Sequence, residues 1–194
     1  MDFILNKGVE YMASYPQCIT DESTITVTAA YPYYSDGSHH GGIDTKHPTD
    51  FLAFAPQAGT IVTAHTWQGG KTGNDSWGNY IVVDMGNKRY WLAAHFKAQT
   101  HKVGEVLKAG DLIGTQGQTG NATGVHTHWE YWAGGRSTRY RQDPSRILGI
   151  PNAVGKYDVT WSADNPPGPG PEPPTPSKKA IPVWLLLKMA RGCK

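Results

Sequence analysis

The sequence predicts a mainly β domain, and three observations carry that prediction. Glycine is abundant at 23 residues, tryptophan and tyrosine are numerous at 7 and 10, and only 18% of the chain is charged. Such a mix suits short strands joined by many turns. Thr24-Ile25-Thr26-Val27-Thr28 alternates apolar and polar residues, the period of a half-buried strand. Asn79 to Met85 and Lys88 to Phe96 form two β-prone runs separated by Gly86-Asn87, a hairpin signal.

The length of 194 residues allows one sizeable domain with tails. A net charge of +2, with no basic run outside the extreme C-terminus, argues against nucleic acid as a partner. Cys18 and Cys193 stand near opposite ends and form no Cys-x-x-Cys pair, so a thiolate zinc site is not expected. Two free thiols are expected instead, because a bridge needs close, well-oriented Cα atoms. No stretch reaches the ~20 apolar residues of a membrane span. The start, Met1-Asp2-Phe3-Ile4-Leu5, lacks the basic region and longer apolar core of a secretory signal.

Taken in order, residues 1–22 read as an N-terminal extension, with a short amphipathic helix over 1–16 suggested by Phe3, Ile4, Val9, Tyr11 and Met12. Residues 23–161 read as the globular domain. Within it, Tyr31 to Ser38 is a turn-rich, tyrosine-loaded loop. Phe51 to Ala55 and Gly59 to Ala64 read as paired strands around Pro56-Gln57-Ala58. The stretch from Trp67 to Gly78 is a long polar loop, the kind that carries function in compact domains. On the second strand of the hairpin, Tyr90, Leu92, Ala94 and Phe96 form the more apolar face, which places His95 with Trp91 and Ala93 on the side away from the core. Short strands punctuated by glycine run from Val103 to Gly114. Asp143-Pro144-Ser145 begins a helical turn, with Asp143 as cap and Pro144 at the first helical position. Residues 162–177 are a Pro/Gly-rich linker, and residues 178–194 a short apolar-basic tail. Trp184, Leu185, Leu186 and Leu187 of that tail, with Lys178, Lys179, Lys188 and Arg191, suit contact with a membrane or a wall polymer.

The chemistry concentrates in two places. His126-Thr127-His128-Trp129-Glu130 reads as a strand, on which His126, His128, Glu130 and Trp132 share one face. Taken alone, a His-x-His more often marks surface histidines than a metal site. Upstream, however, stands His39-His40-Gly41-Gly42-Ile43-Asp44. Its glycines let His40 and Asp44 curl toward one point without a helix, although His39 is adjacent and spacing leaves the choice open. His40, Asp44 and His128 would make three protein ligands with an open fourth position, the pattern of a catalytic zinc. His95 and His126 are then left over. Glu130 either orients a ligand histidine from behind or pairs elsewhere.

These motifs resemble those of the lysostaphin/LytM-type zinc endopeptidases, which cut the peptide part of bacterial peptidoglycan. That family carries His-x-Gly-(Ile/Val)-Asp, here His40-Gly41-Gly42-Ile43-Asp44. It carries a Gly-x-Thr-Gly-x-(Ser/Ala)-Thr-Gly loop before His-x-His, here Gly117 to Gly124 before His126-Thr127-His128. Between them it places a histidine at a strand end, here His95 in Ala93-Ala94-His95-Phe96. The resemblance covers roughly Thr24 to Trp132. It departs at Ala93, where the family usually has tyrosine, at Thr127, where leucine is common, and at Tyr33-Tyr34-Ser35-Asp36, where an arginine often stands.

The resemblance implies an antiparallel barrel-sandwich hybrid with a groove over a zinc site, one Zn2+ per chain held by His40, Asp44 and His128, and catalysis by His95 and His126. It implies a peptidoglycan endopeptidase acting on stem or cross-bridge peptides. The alternative is a non-catalytic wall-binding or phage-tail module that keeps the fold; retention of all five positions favours the enzyme. With no signal peptide expected, access to the wall would come after lysis or from a phage virion.

Overall fold

The computed structural model describes residues 15–47 and 51–162. The strands in chain order are β1 (Tyr15–Gln17), β2 (Thr24–Ala29), β3 (Ile43–Lys46), β4 (Leu52–Phe54), β5 (Gly59–His65), β6 (Asn79–Gly86), β7 (Arg89–Phe96), β8 (Val106–Leu107), β9 (Leu112–Thr115), β10 (Thr127–Ala133), β11 (Arg141–Gln142) and β12 (Gly155–Trp161). They form a mainly antiparallel sheet in the order β1-β12-β2-β3-β10-β7-β6-β5-β8, with β11 attached to β10, and a separate two-stranded β4-β9 ladder. The long sheet ends at β1 and β8, so it is open and does not close into a barrel. Among the described residues the helices are short, such as α1 (Ser145–Leu148), and none is long and apolar enough to cross a membrane.

The central hairpin forms as expected, with its turn shifted by one residue. Asn87 and Lys88 occupy the two loop positions with φ of 52° and 58°, the left-handed pair that a twisted two-residue hairpin needs. The alternation of β2 is also realised: Ile25, Val27 and Ala29 are buried while Thr28 is exposed.

Both faces of the sheet are covered, and this corrects the choice of core face on β7. The larger apolar cluster holds Trp91 and Ala93 with Ile43, Ile81, Trp129 and Tyr131. Leu92 and Ala94 belong to a smaller cluster on the other face, with Tyr80, Val82 and Trp132. Phe96 joins the larger cluster although Ala94 is in the smaller one. Strict alternation forbids that. The break falls at His95, whose φ is 67°.

Two further expectations are corrected. Residues 51–55 and 59–64 do not pair with each other: β4 pairs with β9, and β5 with β6 and β8. Pro56-Gln57-Ala58 is a crossing between layers, anchored where Ala55 N–H donates to Asp111 O and Gly110 N–H to Ala55 O, both at 2.8 Å. The sheet also starts before residue 23. β1 pairs in parallel with β12, Tyr15 opposite Val159, and Gln17, Cys18, Ile19 and Thr20 are fully buried. Tyr15 and Pro16 are therefore strand, not helix; the rest of the helix expected over 1–16 lies outside the described residues. Pro16 is tolerated because β1 is the sheet's edge.

β12 ends at Trp161. From residue 163 onward the linker, the tail and Cys193 lie outside the described residues. The Cys18 thiol is buried against Ala55 O and Pro56 O at 3.3 Å, and burial pushes its pKa up to about 12. At α1, Pro144 stands just ahead of the helix, and Asp143 Oδ1 accepts the Ser145 N–H at 2.8 Å.

Candidate metal centre

Three neighbouring strands bring the motifs together. β3 lies beside β10 and β10 beside β7, with Asp44 opposite His128 and His128 opposite Ala94. Directly opposed residues of antiparallel strands face the same side, so Asp44 and His128 project together. His40 sits just ahead of β3, tied down by its N–H to Pro32 O at 2.7 Å. The glycine at 42 is needed for space: a Cβ there would lie 1.9 Å from Trp129 O of the adjacent strand. β3 can therefore enter the sheet beside β10 only with glycine at its approach.

The three donor atoms converge. His40 Nε2 lies 3.1 Å from Asp44 Oδ1 and 3.1 Å from His128 Nδ1, and His128 Nδ1 lies 2.7 Å from Asp44 Oδ1. Donors around a tetrahedral zinc with bonds of ~2.0–2.1 Å stand roughly 3.3 Å apart. All three residues are buried. The far side of each ring is already engaged. His40 Nδ1 donates to Ala30 O at 2.9 Å, and His128 Nε2 to Glu130 Oε1 at 3.1 Å. A carbonyl or carboxylate oxygen only accepts, so the hydrogen of each neutral ring sits on the outer nitrogen and the lone pair faces the common point. Two neutral imidazoles, each oriented from behind, and one carboxylate fit a divalent zinc.

Glu130 is the hub of that outer support. It is fully buried and receives five N–H groups: His128 Nε2, Trp77 Nε1 at 3.1 Å, Trp132 Nε1 at 2.7 Å, and Arg141 Nε and Nη2, both at 2.6 Å. Burial alone would raise its pKa, but the hydrogen bonds from His128 and Arg141 hold it down to about 2. Asp44 is likewise held well below the usual carboxylate range by His128 and His40, against the opposing effect of burial. In the metal-free chain burial would depress the His128 pKa, yet the bonds to Asp44 and Glu130 outweigh it and hold it up at about 9.

His95 and His126 stand beside this cluster without joining its three donors. Their ring centroids are 4.7 Å apart, and the His95 ring is 5.8 Å from that of His128. The left-handed backbone at His95 turns its side chain toward His128, onto the face of Ala94 and away from the large core. His95 Nδ1 donates to Thr119 O and His126 Nδ1 to Gly124 O, both at 2.8 Å. Each neutral ring therefore carries its lone pair on Nε2. His126 Nε2 is 3.6 Å from Asp44 Oδ2, too far for a hydrogen bond. Burial, and then the neighbouring His128 and His126, press the His95 pKa down to about 3.

The glycine-rich loops hold these two histidines. Thr119 Oγ1 donates to Phe96 O and accepts from Asn79 N–H, both at 2.9 Å, so the 117–124 loop is pinned across the ends of β6 and β7. At the contact between loops, a Cβ on Gly120 would meet Gly78 N and Ser76 O at 2.4 Å, and Gly120 has φ of 76°.

The five residues proposed from the sequence are thus brought to one place. Sequence reasoning missed Arg141 and named Ser76, Trp77 and Asn121 only as parts of polar loops; all four line a cavity of about 160 Å3 with Tyr34, His39, His40, His95 and His128. Tyr34 lies over the His40 ring at 4.2 Å between centroids, and burial with Asp44 nearby lifts its hydroxyl to about 12. The tyrosine-rich loop was the one signal for it.

Residues 38–140 match the model of peptidase family M23. The chain is 32% identical over 125 residues to the glycyl-glycine endopeptidase ALE-1 of Staphylococcus capitis, spanning 61% of this chain and 31% of that protein. It is 33% identical over 90 residues to the peptidoglycan DD-endopeptidase ShyC of Vibrio cholerae, spanning 45% of this chain and 20% of that one. The match thus covers less than a third of either relative's length. In three dimensions the catalytic domain of lysostaphin from Staphylococcus simulans superposes with a TM-score of 0.51 at 28% identity, covering 64% of this chain and 90% of that domain.

Proposed function

Because the chain belongs to peptidase family M23, we propose that it is a zinc metalloendopeptidase that hydrolyses peptide bonds of bacterial peptidoglycan. One observation carries the reading: His40, Asp44 and His128 converge as a buried three-donor set, with His95 and His126 beside it and outside it. Relatives named as glycyl-glycine and DD-endopeptidases support the substrate class.

His40, Asp44 and His128 would hold one zinc per chain. When bound, it supplies Lewis acidity to the scissile carbonyl and activates a water as nucleophile. Ala30 O and Glu130 keep the two ligand rings in the tautomer that leaves the inner nitrogen free. His95 and His126 present Nε2 toward the reacting group, where they accept the proton of the attacking water and supply one to the departing amine. A positioned donor also stabilises the oxygen of the tetrahedral intermediate. Thr119 and Gly124 fix the orientation of both rings through their carbonyls.

The site of action in this proposal is the cell wall, reached after lysis or from a virion. The tail over 178–194 adds contact with a membrane or wall polymer, a reading that rests on its sequence alone. The test is zinc analysis of the purified protein together with mass spectrometry of fragments released from several defined peptidoglycans. New amino and carboxyl termini should appear at one bond type and vanish in His128→Ala. Zinc-loaded protein that binds walls without releasing fragments would identify a binding module instead.

A further inference from the structure

Arg141 is absent from every motif that led to the site, yet it lines the site's cavity. It arrives there on β11, which folds back along β10 with Arg141 opposite Trp132. One edge of its guanidinium is fully committed: Nε and Nη2 both bond the Glu130 carboxylate at 2.6 Å. That fork fixes the plane of the group. The flat face rests against the chain at Gly41, where a Cβ would meet Arg141 Cζ at 2.5 Å. Gly41 is the neighbour of the ligand His40, so the cation is held one residue from the metal centre. Nη1 has no protein partner among the described residues, and the Arg141 side chain is 23% exposed while Glu130 is at 0%.

The acids near the site leave this charge unclaimed on its outer side. Glu130 is saturated by its five N–H donors, and Asp44 Oδ1 is turned to the two ligand histidines. A guanidinium that is immobilised on one edge and open on the other binds a planar anion with little loss of side-chain freedom. We infer that Arg141 is a carboxylate-recognition subsite of the peptide-cleaving site: its outward edge receives a free carboxylate on the substrate residue flanking the bond to be cut. The inference rests on the peptidase reading and specifies which peptides that site prefers. The carboxylate could be the peptide's C-terminus or one carried on a side branch.

Two pairs of synthetic peptides separate these sources. In one pair the members differ only in a C-terminal carboxylate or carboxamide, in the other only in a branch carboxylate or carboxamide. Zinc-loaded wild type should prefer the free acid in one of the pairs by about ten- to a hundred-fold in kcat/KM, the range of a charge-assisted bond. Arg141→Gln should lose most of that preference while the carboxamide peptide slows far less. Arg141→Lys should restore part of it, through charge without the fork. Equal slowing of acid and amide in Arg141→Gln would show that Arg141 only braces Glu130, and would overturn the inference. So would a wild type that ignores the carboxylate in both pairs. If no peptide is cleaved, the peptidase reading fails separately. Calorimetric binding of the same acid and amide peptides to wild type and Arg141→Gln then still decides the role of Arg141.

Discussion

Glu130 Oε1 stands 3.1 Å from His128 Nε2, on the side of the ring opposite Asp44, which lies 2.7 Å from Nδ1. The imidazole is thereby suspended between two carboxylates, and only Nδ1 is left to face a cation. Glu130→Gln keeps the shape and one acceptor oxygen but removes the charge that Arg141 and His128 both answer. Losing such an outer partner typically weakens a metal ten- to a hundred-fold. Competition against a chelator of known affinity should show zinc bound more weakly by that factor. Affinity within about twofold of wild type would mean that His128 is oriented by its packing alone.

The two remaining histidines predict a different pattern. His126→Ala leaves His40, Asp44 and His128 untouched, so it should retain zinc while losing on the order of a hundred-fold or more in rate. His128→Ala should lose the zinc itself on dialysis. Stoichiometric zinc in dialysed His128→Ala, or near-normal turnover in His126→Ala, would reverse the division between metal-holding and proton-moving residues.

Much of this three-donor cluster was legible because a metal site of the proposed kind demands particular side chains at short spacings. His40 and Asp44 lie four apart around two glycines, and His126 and His128 lie two apart on a strand; such separations survive folding unchanged. What the sequence concealed depends on the third dimension. The apolar count of β7 chose Tyr90, Leu92, Ala94 and Phe96 as the core face, but apolar clusters cover both faces. The positive φ at His95 then moves its side chain to the face opposite the one that alternation assigned. A histidine carries no local mark of that conformation, as a glycine would. Arg141 was hidden for a related reason: its partner Glu130 is 11 residues away, beyond the end of β10 and the loop that leads into β11. Likewise, the short β1 is recognisable only once β12 is beside it.

The buried state of His95 has a consequence for acid stability. Its folded pKa is held at about 3, below the ordinary value of 6.5. Between those values the unfolded chain takes up a proton that the folded chain refuses. This group therefore costs nothing above pH 6.5 and progressively favours unfolding as the pH falls toward 3. His95→Gln removes that contribution, so the difference in melting temperature between the two proteins should shift in the variant's favour from pH 6.5 to pH 4. Melts should be recorded with chelator present for both, so that metal loss does not enter. Parallel pH curves would show that His95 is not buried in its neutral form.

Gly41 and Gly42 are adjacent and look equivalent in the sequence, but the structure separates them. A methyl group on Gly42 would sit 1.9 Å from Trp129 O and 2.8 Å from Trp129 C, both backbone atoms of β10, and 3.1 Å from His128 Cε1. None of these can yield without parting β3 from β10 or displacing the His128 ring. On Gly41 the methyl would meet the Arg141 guanidinium at 2.5–2.7 Å, a side-chain end held by its fork on Glu130 and not backbone of the sheet. Overpacking against fixed atoms costs typically about 1–3 kcal/mol and occasionally more. Gly42→Ala should therefore lower stability by at least that amount and reduce zinc affinity. Gly41→Ala should destabilise less, because it strains the Arg141 fork on the buried Glu130 but leaves the β3-β10 pairing intact. Denaturant titration of both variants, with zinc content measured on each, checks the contrast. Equal destabilisation by the two substitutions would mean that the approach to β3 is set by something other than the Gly42-Trp129 contact.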